Sequence, residues 1–347
     1  MPVTLSDIAH ELGLSKMTIS RAINNHAEIS AQTRNRVMEV ARRLNYQPNQ
    51  HARALATNRS YLLGMLVPDL MHSYYAELLR SIESVARPAG FQIVICNTEE
   101  DAGRELSEAQ ALLHRTDGLI IASALPPTQT KEYRKMIKDG ARIVLIDREL
   151  ANLHCPVVTT DNIRVGILAT EHLIGLGHRQ IGHLRGKPSA VAADRFEGYK
   201  QALAKHALPF NSSLARECGF LESGSYEAMR AWIKTGRFPK AIFAANDPAA
   251  IGAMQAIEEA GLRVGQDVAI VGSGNIHYGD MLRVPLTTVS WSRAEMGQLA
   301  AEVLLKLVDN RLSGAKASTR IVIPPELVIR QSSGTRKAGK MNARISR

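Results

Sequence analysis

Between Ser15 and Asn24 the sequence sets Lys16, Met17, Thr18, Ser20, Arg21 and Asn24 around Ile19, Ala22 and Ile23. The two isoleucines lie one helical turn apart and face inward with Ala22, which leaves the polar set and Met17 on the outer face. That face suits a polyanion with readable base edges. Lys16 and Arg21 can donate to guanine O6 and N7 or to phosphate, and Met17 can contact a thymine methyl group. Thr4, Ser30 and Thr33 stand at helix starts, where hydroxyls and backbone N–H groups hold phosphates. A second set follows the ends of expected strands: Asp69 with Tyr74 and Tyr75, Ser123, Asp147-Arg148, Asp161-Asn162, Arg185-Gly186, Asn246-Asp247 and Gly274-Asn275. Carboxylates, amides, arginines and aromatics at strand ends make a cleft for a hydroxyl-rich or charged small molecule.

The outer face of Lys16–Asn24 needs a scaffold, and residues 1–47 supply one. Thr4 and Asp7 read as a capping box with Asp in place of Glu. Leu5, Ile8, Ala9 and Leu12 recur at helical spacing, and Gly13 stops the helix. Ser15 caps a second helix. Ser30 starts a third, with Val37, Val40, Ala41 and Leu44 as its buried stripe. A helix, a tight Gly-containing turn and a second helix opening on capping and basic residues predict a helix-turn-helix. From residue 61 onward short apolar runs alternate with helical patterns, which predicts parallel sheets with helical crossovers in two α/β subdomains. Ile321–Ser333 reads as one last strand.

The charge is unevenly placed. The chain has 347 residues and a net charge of +10. Residues 1–60 carry eight Lys/Arg against four Asp/Glu, residues 330–347 carry six against none, and the body is neutral. A basic head on a neutral body points to a polyanion bound by the head alone. Cys96, Cys155 and Cys218 are scattered and read as reduced thiols. No apolar run approaches membrane-spanning length, and no charged-then-apolar leader pattern is present, so a cytoplasmic protein is expected. No Gly-x-Ser-x-Gly elbow, His-Glu-x-x-His pair or P-loop appears, so no catalytic residue, metal or cofactor is expected. Gly272-x-Gly274 resembles the start of a dinucleotide loop, but His277 occupies its third glycine position.

Val3–Ala9, Gly13-Leu14-Ser15, Thr18–Asn24, Leu44–Asn49 and Ala52–Ala56 closely resemble the N-terminus of the lactose-repressor/purine-repressor (LacI/GalR) family. Ile146-Asp147-Arg148, Leu176–Ile181, Arg195–Tyr199 and Asn246-Asp247 carry the likeness through the body. The resemblance implies a helix-turn-helix head (1–47), a hinge (48–60) and a periplasmic-binding-protein-like body of two parallel-sheet α/β subdomains (61–330). The first subdomain is expected over about 61–159 and 291–318, and the second over about 160–290 and 319–330. A basic disordered tail (331–347) follows. The implied function is a homodimeric repressor, bound to palindromic double-stranded operator DNA and controlled by a small effector, with a sugar or sugar acid as the guess. Ser15, Thr18, Ser20 and Arg21 belong to the shared DNA-binding pattern, whereas Lys16 and Met17 sit where relatives differ. Tyr46, Asn49, Ala52 and Leu55 join the DNA contacts, Leu55 as a wedge in the minor groove. Effector contacts fall to Arg195 and Asn246, then to Asp69, Tyr74, Tyr75, Asp147, Phe220 and Trp291. Many relatives carry a carboxylate where Gly274 stands, and Asn275 is the substitute. Two rival readings remain: a transporter's solute-binding protein, which fits the body but not the head, and a sugar-metabolising enzyme.

Overall fold

The computed structural model describes residues 3–23, 26–46, 54, 57, 59–310 and 319–334. Asn24, Asn49, Ala52, Leu55 and residues 335–347 of the expected tail lie outside the described residues. The chain divides into two units, 1–60 and 61–347.

The first unit holds three helices: α1 (Leu5–Leu12), α2 (Lys16–Ile23) and α3 (Ala31–Arg43). The Asp7 carboxylate accepts from the Thr4 N–H at 2.7 Å and the Thr4 hydroxyl at 2.8 Å, which fixes the start of α1. Gly13 closes α1 at φ +64°, a left-handed position that a side chain would strain. Ser15 Oγ accepts the Thr18 N–H, and Ser30 Oγ accepts the Thr33 N–H, each at 3.1 Å. Ile8, Ala9, Ile19, Ala22, Val37, Val40 and Ala41 form the core that these three helices share.

The second unit is built on two six-stranded sheets. Its strands are β1 (Leu62–Val67), β2 (Gln92–Asn97), β3 (Gly118–Ile121), β4 (Ile143–Ile146), β5 (Val157–Thr160), β6 (Ile181–Arg185), β7 (Ala215–Glu217), β8 (Ala241–Ala244), β9 (Ala269–Ser273), β10 (Thr287–Ser290), β11 (Arg320–Ile323) and β12 (Glu326–Val328). The first sheet runs β11-β5-β4-β3-β1-β2, and the second β12-β10-β9-β8-β6-β7. Every pairing is parallel except β10 with β12. Strands buried on both faces, such as β3, β4 and β8, read as unbroken apolar runs for that reason. Helices α4 (Ser73–Ala86), α5 (Ala102–Leu113), α6 (Lys131–Lys138) and α11 (Arg293–Val308) belong to the first lobe. Helices α7 (Asn162–Gly175), α8 (Ala190–Lys205), α9 (Glu222–Lys234) and α10 (Asp247–Glu259) belong to the second. The chain crosses between sheets after β5, after β10 and after β11.

Two expectations need correction. The last strand is not continuous: Ile321–Ile323 pairs with β5 in the first sheet, and Glu326–Val328 pairs with β10 in the second. Pro324 and Pro325 lie between them and cannot donate to a ladder, so they end one strand and turn the chain to the other lobe. Residues 319–323 therefore belong to the first subdomain. The tail begins later than residue 331. Ser332 and Ser333 are buried, and Ser332 Oγ bridges the Thr287 N–H (2.8 Å) and the Ile270 carbonyl (2.7 Å).

The lobes depend on close helix packing. A Cβ on Gly198 of α8 would run into the Ile163 carbonyl of α7, and one on Gly166 of α7 would meet the Arg195 carbonyl of α8. Gly198→Ala is expected to cost about 1–3 kcal/mol of stability through overpacking, measured as a fall in the urea midpoint at constant slope. A midpoint equal to the parent's would show that the helices can separate freely.

Candidate functional site

Parallel strands deliver their carboxyl ends to one side of each sheet, and in the second unit those ends face a shared cavity of about 250 Å³. From the first lobe come Asp69, His72, Tyr74 and Tyr75 after β1, Glu100 after β2, and Asp147 and Arg148 after β4. From the second come Lys187, Val191 and Arg195 after β6, Cys218–Leu221 after β7, Asn246 after β8 and Ser273 at the end of β9. Trp291 lines the cavity from the crossover that follows β10.

The floor is a hydrogen-bonded chain of aromatics and charge. Trp291 Nε1 donates to Tyr74 Oη at 3.3 Å, and Tyr74 Oη donates to Asp147 Oδ1 at 2.9 Å. Asp147 holds φ +65°, which turns its carboxylate from the strand direction into the cavity. Burial pushes its carboxyl pKa up, and burial beside Asp147 drives the Tyr74 hydroxyl well above 10. The Arg195 guanidinium lies over the Trp291 ring, 5.3 Å from its centroid. Its Nε donates to Asn162 Oδ1 at 2.9 Å, and its Nη1 donates to the Ala245 carbonyl at 2.5 Å. Its Nη2 has no partner among the described residues. Arg195 is 4% exposed, and burial pulls its pKa down.

Other polar groups are already spent. Glu100 takes both arms of Arg148, at 2.7 and 2.9 Å, and Arg148 sits over the Phe220 ring at 5.5 Å. Asn246 caps α10, its Oδ1 accepting the Ala249 N–H at 2.9 Å while its Nδ2 donates to the Phe220 carbonyl at 2.8 Å. Asp147, Arg195 and Asn246 thus line one cavity with Asp69, Tyr74, Tyr75, Phe220 and Trp291. Asn275 does not join them. Its Oδ1 accepts from Arg330 at 2.8 Å and its Nδ2 donates to Ser290 at 3.2 Å, so it braces the loop behind the cavity wall. Gly274 holds φ +121°, a backbone position that favours glycine, and its carbonyl accepts from Arg293.

Sequence reasoning missed His72, Glu100, Lys187, Val191, Ser273 and, around Phe220, Cys218, Gly219, Leu221, Ser223 and Gly224 as wall residues. Extending the strand-end rule to Gln92–Asn97 reaches Glu100. Nothing in the sequence singled out His72, which caps α4 by accepting the Tyr74 N–H at Nδ1, 3.3 Å away.

Burial holds His72 down to about 4 and His183 down to about 3, against 6.5 in an open chain. His183 is stacked on Phe243 at 4.6 Å and bonded through Nδ1 to the Phe243 carbonyl at 2.9 Å. The unfolded chain gains a proton at each histidine below about pH 6.5, and the folded chain does not until near 4 and 3. Their contribution to stability is full above that range and is lost as pH falls, by ~1.4 kcal/mol per pH unit for each histidine. Urea midpoints taken between about pH 7 and 5 check this, and His183→Gln should remove one histidine's share of the slope.

On the first unit, Lys16, Met17 and Arg21 stand on the exposed face of α2, with Met17 63% exposed. Arg21 Nη1 donates to Glu28 at 2.9 Å, an exposed pair that nucleic acid can displace. Thr4, Ser15, Thr18, Ser30 and Thr33 are engaged in the side-chain bonds that cap the starts of the three helices. Tyr46 follows α3 and is partly buried against the three-helix core.

Among the described residues no helix is long and apolar enough to cross a membrane. A sequence profile described as bacterial regulatory proteins, lacI family, matches residues 4–49, and one described as a periplasmic binding protein-like domain matches residues 170–333. The chain is 35% identical over 337 residues to the HTH-type transcriptional regulator DegA of Bacillus subtilis, spanning 96% of this chain and 98% of that one. It is 31% identical over 332 residues to the HTH-type transcriptional repressor PurR of Haemophilus influenzae, spanning 95% and 98%. The crystal structure of the lac repressor dimer bound to operator and an anti-inducer superposes with a TM-score of 0.84 at 28% identity, covering 96% of this chain and all of that one.

Proposed function

The chain belongs to the lacI family of bacterial regulatory proteins, and from that premise we propose that a sugar or sugar acid in the interlobe cavity sets its grip on operator DNA. It is a DNA-binding transcriptional regulator that works as a homodimer with a small-molecule effector; its relatives are regulators and not enzymes. Each head reads one half of a palindromic operator, with Lys16 and Met17 setting which bases are preferred. Asp69, Tyr74, Tyr75, Asp147, Arg195, Phe220, Asn246 and Trp291 contact the effector.

The observation that supports the effector site is the cavity itself. Its walls come from both lobes, so a ligand touching both binds one lobe arrangement better than another. That difference in affinity sets the upper limit of the coupling free energy, which is reciprocal between DNA and effector. The test is a gel shift with DNA from upstream of the protein's own gene, with and without sugars and sugar acids. Specific retardation that one of these compounds strengthens or abolishes is expected. Retardation that competitor DNA of unrelated sequence removes equally well would sink the proposal.

A further inference from the structure

The cavity wall holds a mismatch between hydrogen-bond donors. His72 Nδ1 accepts the Tyr74 N–H, so the single proton of the neutral imidazole sits on Nε2. Nε2 lies 3.3 Å from Asn246 Nδ2. That amide cannot turn its oxygen toward His72 without losing two bonds, because Oδ1 accepts the Ala249 N–H and Nδ2 donates to the Phe220 carbonyl. Two N–H groups, one from each lobe, therefore face one another with no acceptor between them. The opposite tautomer moves the conflict to the Tyr74 N–H and removes nothing.

Arg195 adds to the donor excess. Its Nη1 is bonded to the carbonyl of Ala245, the residue next to Asn246, and its Nη2 is open. No carboxylate lies within 4.0 Å of it among the described residues. Of the nearby carboxylates, Glu100 is committed to Arg148, Asp247 to Thr288 and the Ile276 N–H, and Asp69 spends Oδ1 on the Met71 N–H. Asp147 spends one oxygen on Tyr74 and keeps the other free. A hydroxyl placed among these donors could pass its own proton only to the Asp147 or Asp69 carboxylate, because the Ala245 carbonyl already accepts from Arg195 and Ser273, and Asn246 Oδ1 accepts the Ala249 N–H. A carboxylate oxygen only accepts, and it would also neutralise the buried guanidinium.

We infer that the effector is a hydroxylated carboxylate, its carboxylate held by Arg195, His72 Nε2–H and Asn246 Nδ2–H together, and a hydroxyl of it donating to Asp147. The inference rests on the effector-controlled reading above and narrows its ligand to the acid. Because His72 and Asn246 belong to opposite lobes, the same carboxylate that satisfies both also ties the lobes together.

The test separates the two levels. Small molecules extracted from the source bacterium are split on an anion exchanger, and each fraction is added to the protein with its upstream DNA in a gel shift. The retained, anionic fraction is expected to change retardation and the flow-through is not. In parallel, calorimetry compares glucuronate, galacturonate and gluconate with glucose, galactose and glucitol. At least one acid is expected to bind ten times or more tightly than its neutral counterpart, and His72→Phe should erase that preference. An effect confined to the neutral flow-through, or equal binding of acid and neutral forms, overturns the carboxylate assignment and leaves effector control standing. If neither fraction changes retardation, effector control fails and the assignment falls with it.

Discussion

Arg195→Met is expected to abolish effector control while leaving DNA retardation without effector intact. The guanidinium is pinned by Asn162, the Ala245 carbonyl and the Trp291 face, so it offers its free Nη2 to a ligand at little conformational cost. Bonds from a buried charge to a ligand contribute about 1.5–3 kcal/mol each, so losing two of them weakens affinity by roughly a hundredfold or more. Met keeps the length and apolar character that the Trp291 ring packs against. Calorimetry with the effector and gel shifts with the operator read the two properties apart. Arg195→Lys keeps the charge without the fork and should fall between. An Arg195→Met protein that binds effector within about threefold of the parent would make Arg195 a brace between α7, α8 and β8, with no part in recognition.

The second large effect concerns which DNA is bound. Replacing both Lys16 and Met17 with Ala is expected to change operator preference at the base pairs they face by about 1–3 kcal/mol each, ten- to hundredfold in relative affinity. Neither side chain supports the head's core: Ile19 and Ala22 do that from the opposite face, and Met17 stands 63% exposed. Competition among randomised operators measures the preference, and calorimetry shows effector affinity unchanged. Should the double variant weaken every sequence alike, with a salt slope shallower by about one, Lys16 is a phosphate contact and the assignment is wrong.

Much of the molecule was legible in advance because its signals are local. The head's caps depend on residues three apart, so Thr4 with Asp7, Ser15 with Thr18 and Ser30 with Thr33 are visible in the sequence and present in the structure. Apolar strands such as Gly118–Ile121 and Ile143–Ile146 announced the sheets and, through their carboxyl ends, most of the cavity. Strand β10 did not announce itself. Thr287-Thr288-Val289-Ser290 carries a single aliphatic residue, yet all four residues are buried. Thr287 Oγ1 donates to the Arg330 carbonyl at 3.0 Å, and Thr288 Oγ1 donates to Asp247 at 2.6 Å. Those partners lie about forty residues away, beyond any periodic pattern.

The same division holds at the ligand site. Residue types and strand-end positions in the sequence were enough to nominate Asp147, Arg195 and Asn246. They could not say which of their hydrogen bonds are already used, because Tyr74, Ala245 and Phe220 reach Asp147, Arg195 and Asn246 from separate segments of the chain. They also placed Asn275 with the ligand residues, where Arg330 and Ser290 hold it away. Local sequence determines caps, periodicity and the residues that can do chemistry, since these act over one or two turns of chain. Only the tertiary structure decides which donors and acceptors remain open, because that is a balance among side chains brought together from both lobes.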